Sequence, residues 1–154
     1  MNPNYTIRFA EVDDAFIITQ HRRKMFTDMG EQNYIESTSV DSVYQQWLEA
    51  KLARGDYVGW LMMHHDAVIG GAGVEIRERG PRPGEAVSRY AYVVNVFVEP
   101  EYRQQGIARQ LLTTLIDWCA QEGLRTITLH ASDKGRHLYE TLGFEQTNEM
   151  HLVL

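Results

Sequence analysis

The sequence predicts a mixed α/β fold: a central mixed sheet with helices on both faces, in the order β-α-α-β-β-β-α-β-α-β. Three observations predict it. A dense β-type run, Tyr92 to Val98, leads through a short turn, Glu99-Pro100-Glu101-Tyr102, into an amphipathic helical pattern. Segments with apolar residues at helical spacing end at Gly30, Gly55, Gly123 and Gly143. Two strand-type runs sit side by side around the polar pair His65-Asp66, as a hairpin requires.

Tyr5 to Phe9 alternates apolar and polar residues and reads as the first strand. Val12 to about Met29 reads as helix, and Gly30 to Ser37 as a polar loop. Val40, Val43, Tyr44, Trp47, Leu48 and Leu52 recur at helical spacing, with Asp41 in the first turn, and give the second helix. Tyr57 to His64 and Val68 to Ile76 form the hairpin, with a bulge or twist expected at Gly70-Gly71. Arg79 to Glu85 carries two prolines and two glycines and no apolar residue, so it is a loop. Arg89 to Val98 is the fourth strand. Ala108, Leu111, Leu112, Leu115 and Cys119 mark the third helix. Arg125 to His130 is a fifth strand, Lys134 to Leu142 a fourth helix, and Phe144 to Leu154 supplies one or two more strands.

Size predicts one domain over residues 1–154. The chain is 44% hydrophobic and 23% charged, the balance of a globular protein. A formal net charge of −6 argues against nucleic acid or an anionic membrane as main partner. It is compatible with a cationic amine. The lone Cys119 has no internal disulfide partner and lies on a helix's apolar face, where it packs. No leader heads the sequence and no apolar run reaches the ~18 residues of a membrane span, so the expected location is cytoplasmic.

The segment with the most chemistry is Arg103-Gln104-Gln105-Gly106-Ile107-Ala108, at the junction of strand, turn and third helix. The first turn of a helix leaves backbone N–H groups unpaired and carries a partial positive charge. That geometry binds phosphate. Gly106 lets an anion approach without a Cβ in the way, small Ala108 keeps helix and strand close, and Arg103 adds a charged donor. The segment resembles the acetyl-CoA pyrophosphate loop of the GNAT N-acetyltransferase superfamily: Arg or Gln, two residues, Gly, one residue, Gly or Ala. The preceding Val96 to Tyr102 fits the family's strand and proline. A second segment, Gly135 to Phe144, is similar to the family's late helix and the turn after it, with Leu138-Tyr139 and Leu142-Gly143-Phe144 at the matching places. There Leu138 and Leu142 share a helix face and Gly143 ends the helix.

The resemblance implies an acetyl-CoA-dependent enzyme, with the fourth and fifth strands splayed to form the cofactor cleft. It implies cofactor contacts from the backbones of Phe97 and Val98, from Arg103, Gln104, Gln105, Gly106, Ile107, Ala108 and Arg109, and from Ser132 and Tyr139. In this picture Tyr139 is the general acid for the departing thiolate, since a phenol with pKa near ~10 is protonated at neutral pH. Several family members carry an acidic residue on the fourth strand. Tyr90 to Asn95 has none here. Glu75 and His130 are the nearest candidates for a base, bulk water the remaining one, and Asn95 is a candidate for orienting a water or the acetyl carbonyl. The acceptor site is expected between the first two helices and the Arg79 to Glu85 loop, with Tyr34, Tyr44, Trp47 and Trp60 as lining candidates and Asp28, Glu31 and Glu36 as attractors for a cation.

The expected activity is transfer of an acetyl group from acetyl-CoA to a small primary amine, without a metal. Two alternatives stay open: a non-catalytic acyl-CoA-binding module, and acetylation of protein amines. The acceptor's identity and the number of chains in the assembly, a homodimer included, are not readable from the residues.

Overall fold

The computed structural model describes residues 2–31, 39–86 and 88–154. Five strands form one sheet in the order β1-β2-β3-β4-β5: β1 Tyr5–Phe9, β2 Tyr57–His64, β3 Ala67–Glu78, β4 Arg89–Val98 and β5 Ile127–Thr128. The first four are antiparallel, and β5 lies parallel to β4. A parallel pair needs a crossover. Helix α3, Ile107–Gln121, supplies it.

Among the described residues the other α-helices are α1 (Ala15–Asp28), α2 (Ser39–Arg54) and α4 (Arg136–Thr141). Helix α3 buries Ile107, Leu111, Leu112, Leu115 and Cys119. This is the apolar stripe of an amphipathic helix. It packs on Trp60, Met62, Val74, Ala91 and Val93, on one face of the sheet. The opposite face holds Ala15 and Ile18 of α1 and Leu48 of α2 against Tyr57 and Leu61. Period-two alternation along β2 thus sends Trp60 to one core and Tyr57 to the other.

The register slips at two points. On β3, Gly71 pairs with Phe97 but Gly73 with Val94, so Ala72 faces both Asn95 and Val96. A second slip lies between Met62 and Met63 of β2. The bulges therefore flank the expected Gly70-Gly71 position. Gly73 is required by a close approach: an added Cβ would lie 2.1 Å from the Tyr57 hydroxyl.

Two expectations need correction. The fifth strand is shorter than residues 125–130, with only Ile127 and Thr128 paired. The segment from Phe144 to Leu154 forms no strand. After Phe144 N–H, which donates to Tyr139 O, its backbone makes no backbone hydrogen bond among the described residues. Met150, Leu152, Val153 and Leu154 are exposed. The alternation there supports a strand, but a strand exists only where a neighbour's backbone completes the ladder. Hence α4 joins no second parallel pair.

Candidate active site

The turn after β4 is built from left-handed backbone. Gln104 has φ 60° and Gly106, the residue before α3, has φ 79°. An L side chain at the second position would be strained. The space beside Gly106 is open, with no atom within 4 Å of an ideal Cβ. The first helical bond runs from Gln110 N–H to Gly106 O. The N–H groups of every residue from Gln104 to Arg109 lack a backbone or side-chain acceptor among the described residues. This unbroken row of donors, at the positive end of the α3 dipole, has the geometry that accepts an anion and makes the turn a candidate cradle.

The side chains of Arg103, Gln105 and Arg109 are committed elsewhere. Arg103 Nη2 donates to Asp28 Oδ2 at 2.7 Å and its Nε to Val98 O at 2.8 Å. Gln105 accepts from the Tyr5 hydroxyl, and Arg109 donates to Thr141 Oγ1. Ile107 is buried in the core and Ala108 packs against it. The cradle is therefore a backbone feature. The Arg103–Asp28 pair and a Lys24–Glu99 pair tie the end of α1 to this turn.

Beside the turn, β4 outruns its neighbour. Only Ala91 and Tyr92 pair with β5, so the edge from Val93 to Val98 is open on that side. The side chains of Phe97 and Val98 are buried. Their contribution to any ligand is main-chain. The bulge at Asn95 lies in this open stretch. Asn95 is left-handed, with φ 56°, and buried. Its Nδ2 donates to the hydroxyls of Tyr44 at 2.8 Å and Tyr57 at 3.1 Å. Burial pushes the Tyr57 phenol far above its ordinary value, so it stays a neutral hydroxyl. The amide hydrogens expected to orient an acetyl carbonyl are thus spent on tyrosines.

The two candidate bases belong to one polar row on the α1–α2 face. Tyr57 pairs with Glu75, and Glu75 with Tyr92, across adjacent strands. Glu75 Oε2 accepts from Arg77 Nε at 3.0 Å and Nη2 at 2.7 Å. The Arg77 guanidinium covers the Tyr92 ring at 3.7 Å. The Tyr92 hydroxyl meets His130 Nδ1. His130 is exposed, where β4 and β5 part. Tyr44, expected to line the acceptor site, instead accepts from Asn95, and no local pattern gives Tyr57 or Tyr92 a role. The available signal was an asparagine breaking an apolar strand.

Tyr139 and Ser132 both close on Gly135, the residue before α4. An ideal Cβ on Gly135 would lie 2.9 Å from the Tyr139 ring and 3.2 Å from Ser132 Oγ. Ser132 Oγ accepts from Gly135 N–H. Burial raises the Tyr139 phenol above its ordinary value, which keeps its proton available.

On the acceptor side, a cavity of about 210 Å³ is lined by Trp47, Lys51, Asp56, Glu75, Ile76 and Arg77. Trp60 is not part of it: it is buried on the opposite face against Trp118. A larger cavity, about 390 Å³, lies on that far side between β1 and α3, away from every candidate acid or base. Asp28 faces Arg103 instead of an open cleft, and Glu31 is exposed. Tyr34 and Glu36 lie outside the described residues. His64, at the end of β2, is half-buried with Nδ1 3.2 Å from the Tyr102 hydroxyl. Cys119 is fully buried, its thiol pushed up to about 11 by burial, so it packs. No helix among the described residues is long and apolar enough to cross a membrane.

The model of the acetyltransferase (GNAT) family matches residues 16–144. A GCN5-related N-acetyltransferase from Ralstonia eutropha superposes with a TM-score of 0.89 at 28% identity, covering 97% of this chain and 98% of that one. A predicted acetyltransferase from Clostridium acetobutylicum, solved with acetyl-CoA, gives 0.88 at 26% identity, covering 97% and 96%. The glucosamine 6-phosphate N-acetyltransferase of Trypanosoma brucei brucei is 31% identical over 77 residues, half of this chain and half of that enzyme.

Proposed function

The chain belongs to the acetyltransferase (GNAT) family, and we propose that it transfers an acetyl group from acetyl-CoA to a primary amine of a small molecule, by direct attack in a ternary complex. One observation carries the reading: the row of unpartnered N–H groups from Gln104 to Arg109 around left-handed Gly106. Those donors hold a diphosphate. The open edge of β4 at Phe97 and Val98 takes an extended arm through its main chain. The solved relative with acetyl-CoA supports the same ligand here.

Acetyl-CoA supplies an activated acyl group and a thiolate that leaves. The residues of this chain do the rest. Tyr139 donates its phenol proton to the departing sulfur. His130 accepts the proton lost by the amine through Nε2, while its Nδ1–H donates to the Tyr92 hydroxyl oxygen. Glu75 is the weaker candidate, because its carboxylate is already held by Arg77. Positioning by the cradle and the β4 edge supplies the larger part of the rate, up to ~7–11 kcal/mol in favourable cases. The small-molecule acceptor is supported by the compact cavity beside Glu75 and by a relative named for an amino sugar phosphate.

The test is release of CoA thiol from acetyl-CoA with glucosamine 6-phosphate, spermidine and tyramine, and with a peptide bearing an N-terminal alanine. Turnover with one of the small amines is expected. Turnover with the peptide alone moves the activity to protein amines. Acetyl-CoA binding with no turnover of any amine leaves a binding module.

A further inference from the structure

Asn95 is held on three sides. Its backbone is left-handed, its side chain is 8% exposed, and its Nδ2 is occupied by Tyr44 of α2 and Tyr57 of β2. An asparagine adopts that backbone more readily than most residues. Tyr57 reaches it only because Gly73 leaves room for the ring. The two hydroxyls fix the amide plane, so its remaining polar atom is fixed as well. That atom, Oδ1, has no partner among the described residues and can only accept. It sits at the bulge of the open β4 edge, on the sheet face that carries Glu75 and Tyr92.

We propose that Asn95 Oδ1 receives one N–H of the acceptor's primary amine and so aims the nitrogen lone pair at the thioester carbon. The proposal rests on the acetyl-transfer reading and names its acceptor-positioning residue. A neutral primary amine has two N–H bonds. One is held by Asn95. As the N–C bond forms and the C–S bond breaks, the other proton goes to the base and the electron pair stays on sulfur. A secondary amine has a single N–H, so it must either forgo Asn95 or offer the base the proton that Asn95 holds. Asn95 therefore sets a preference for primary over secondary amines. It also ties that preference to α2, through Tyr44.

The test uses whichever of glucosamine 6-phosphate, spermidine and tyramine the wild type turns over fastest, together with its N-methyl derivative. Asn95→Gly keeps the left-handed backbone and removes the amide. It is expected to bind acetyl-CoA within about two-fold of wild type, to lose roughly 100-fold in kcat/KM for the primary amine, and to lose most of the primary-to-secondary preference. Asn95→Asp keeps an accepting oxygen that the tyrosine hydroxyls can also orient, and is expected to retain the preference. If Asn95→Gly does not fold, the preference in Asn95→Asp decides alone, and its loss overturns the proposal. Wild-type kcat/KM and preference in folded Asn95→Gly overturn it too. So does a loss of acetyl-CoA affinity that accounts for the whole loss of turnover, since Asn95 would then shape only the cofactor edge. A wild-type chain that binds acetyl-CoA yet acetylates no amine overturns the transfer reading, and this proposal with it.

Discussion

His21 shows how much a single buried ring can weigh. It is 2% exposed, lies 4.9 Å from the Phe97 ring, and its Nε2 stands 3.6 Å from Glu99, without a hydrogen-bond partner among the described residues. Burial lowers its pKa to about 4, against the pull of Glu99. The native state therefore holds it neutral, whereas the unfolded chain protonates it below ~6.5. Unfolding takes up a proton between those values, so stability is complete above pH ~6.5 and is lost as pH falls toward 4, by up to about 3 kcal/mol. Urea midpoints at pH 7.5 and 5 check this: the wild type should lose stability across that interval, and His21→Leu should lose much less. Tyr139 runs the other way. A donor must be protonated, and burial raises its pKa, so the basic limb of kcat should lie above the ordinary phenol value of ~10. Tyr139→Phe should lower kcat by roughly 100-fold or more at unchanged acetyl-CoA affinity. An unchanged kcat would make Tyr139 a packing residue.

Between elements, the junction of α1 with the turn after β4 is the one that can be tuned. Arg103 is shared between Asp28 and Val98 O, and both charged side chains of the Arg103–Asp28 pair are about half exposed. An exposed pair of this kind contributes about 0–1 kcal/mol. Asp28→Ala should therefore barely move the melting temperature. It should release Arg103 toward the cradle, tightening acetyl-CoA binding a few-fold at low salt and less at high salt. Calorimetric titration at two salt concentrations measures both. A weaker complex would mean that Arg103 serves the site from where Asp28 holds it. The strand–turn–helix unit was legible in the sequence because its signals are local. Tyr92 to Val98 is a dense β-type run, Gly106 marks the turn, and Leu111, Leu112 and Leu115 mark the buried stripe of the helix. The segment after Phe144 misled because local pattern encodes strand propensity but not the partner that completes a ladder.

At the scale of the molecule, two cores on opposite faces hold one sheet, and the sheet opens where β5 stops. Periodicity gave the buried faces of the helices and the order of elements as far as the fourth helix, since each is a local property. It did not give the bulge at Asn95, the Tyr44–Asn95–Tyr57 bonds or the Tyr92–His130 contact. Each of those joins residues far apart in sequence. The candidate bases were legible by type, but the Arg77 grip on Glu75 that ranks them was not. On the proposed reading the turn before α3 is a backbone cradle for a diphosphate, and acetyl-CoA binding measures it directly. Acetyl-CoA is titrated calorimetrically into the wild type and into Gly106→Glu, with circular dichroism confirming that the variant is folded. The wild type is expected to bind, and Gly106→Glu to lose at least about 100-fold in affinity, because a strained backbone and a carboxylate would occupy the anion's place. A folded Gly106→Glu that binds acetyl-CoA as tightly as the wild type would contradict the account.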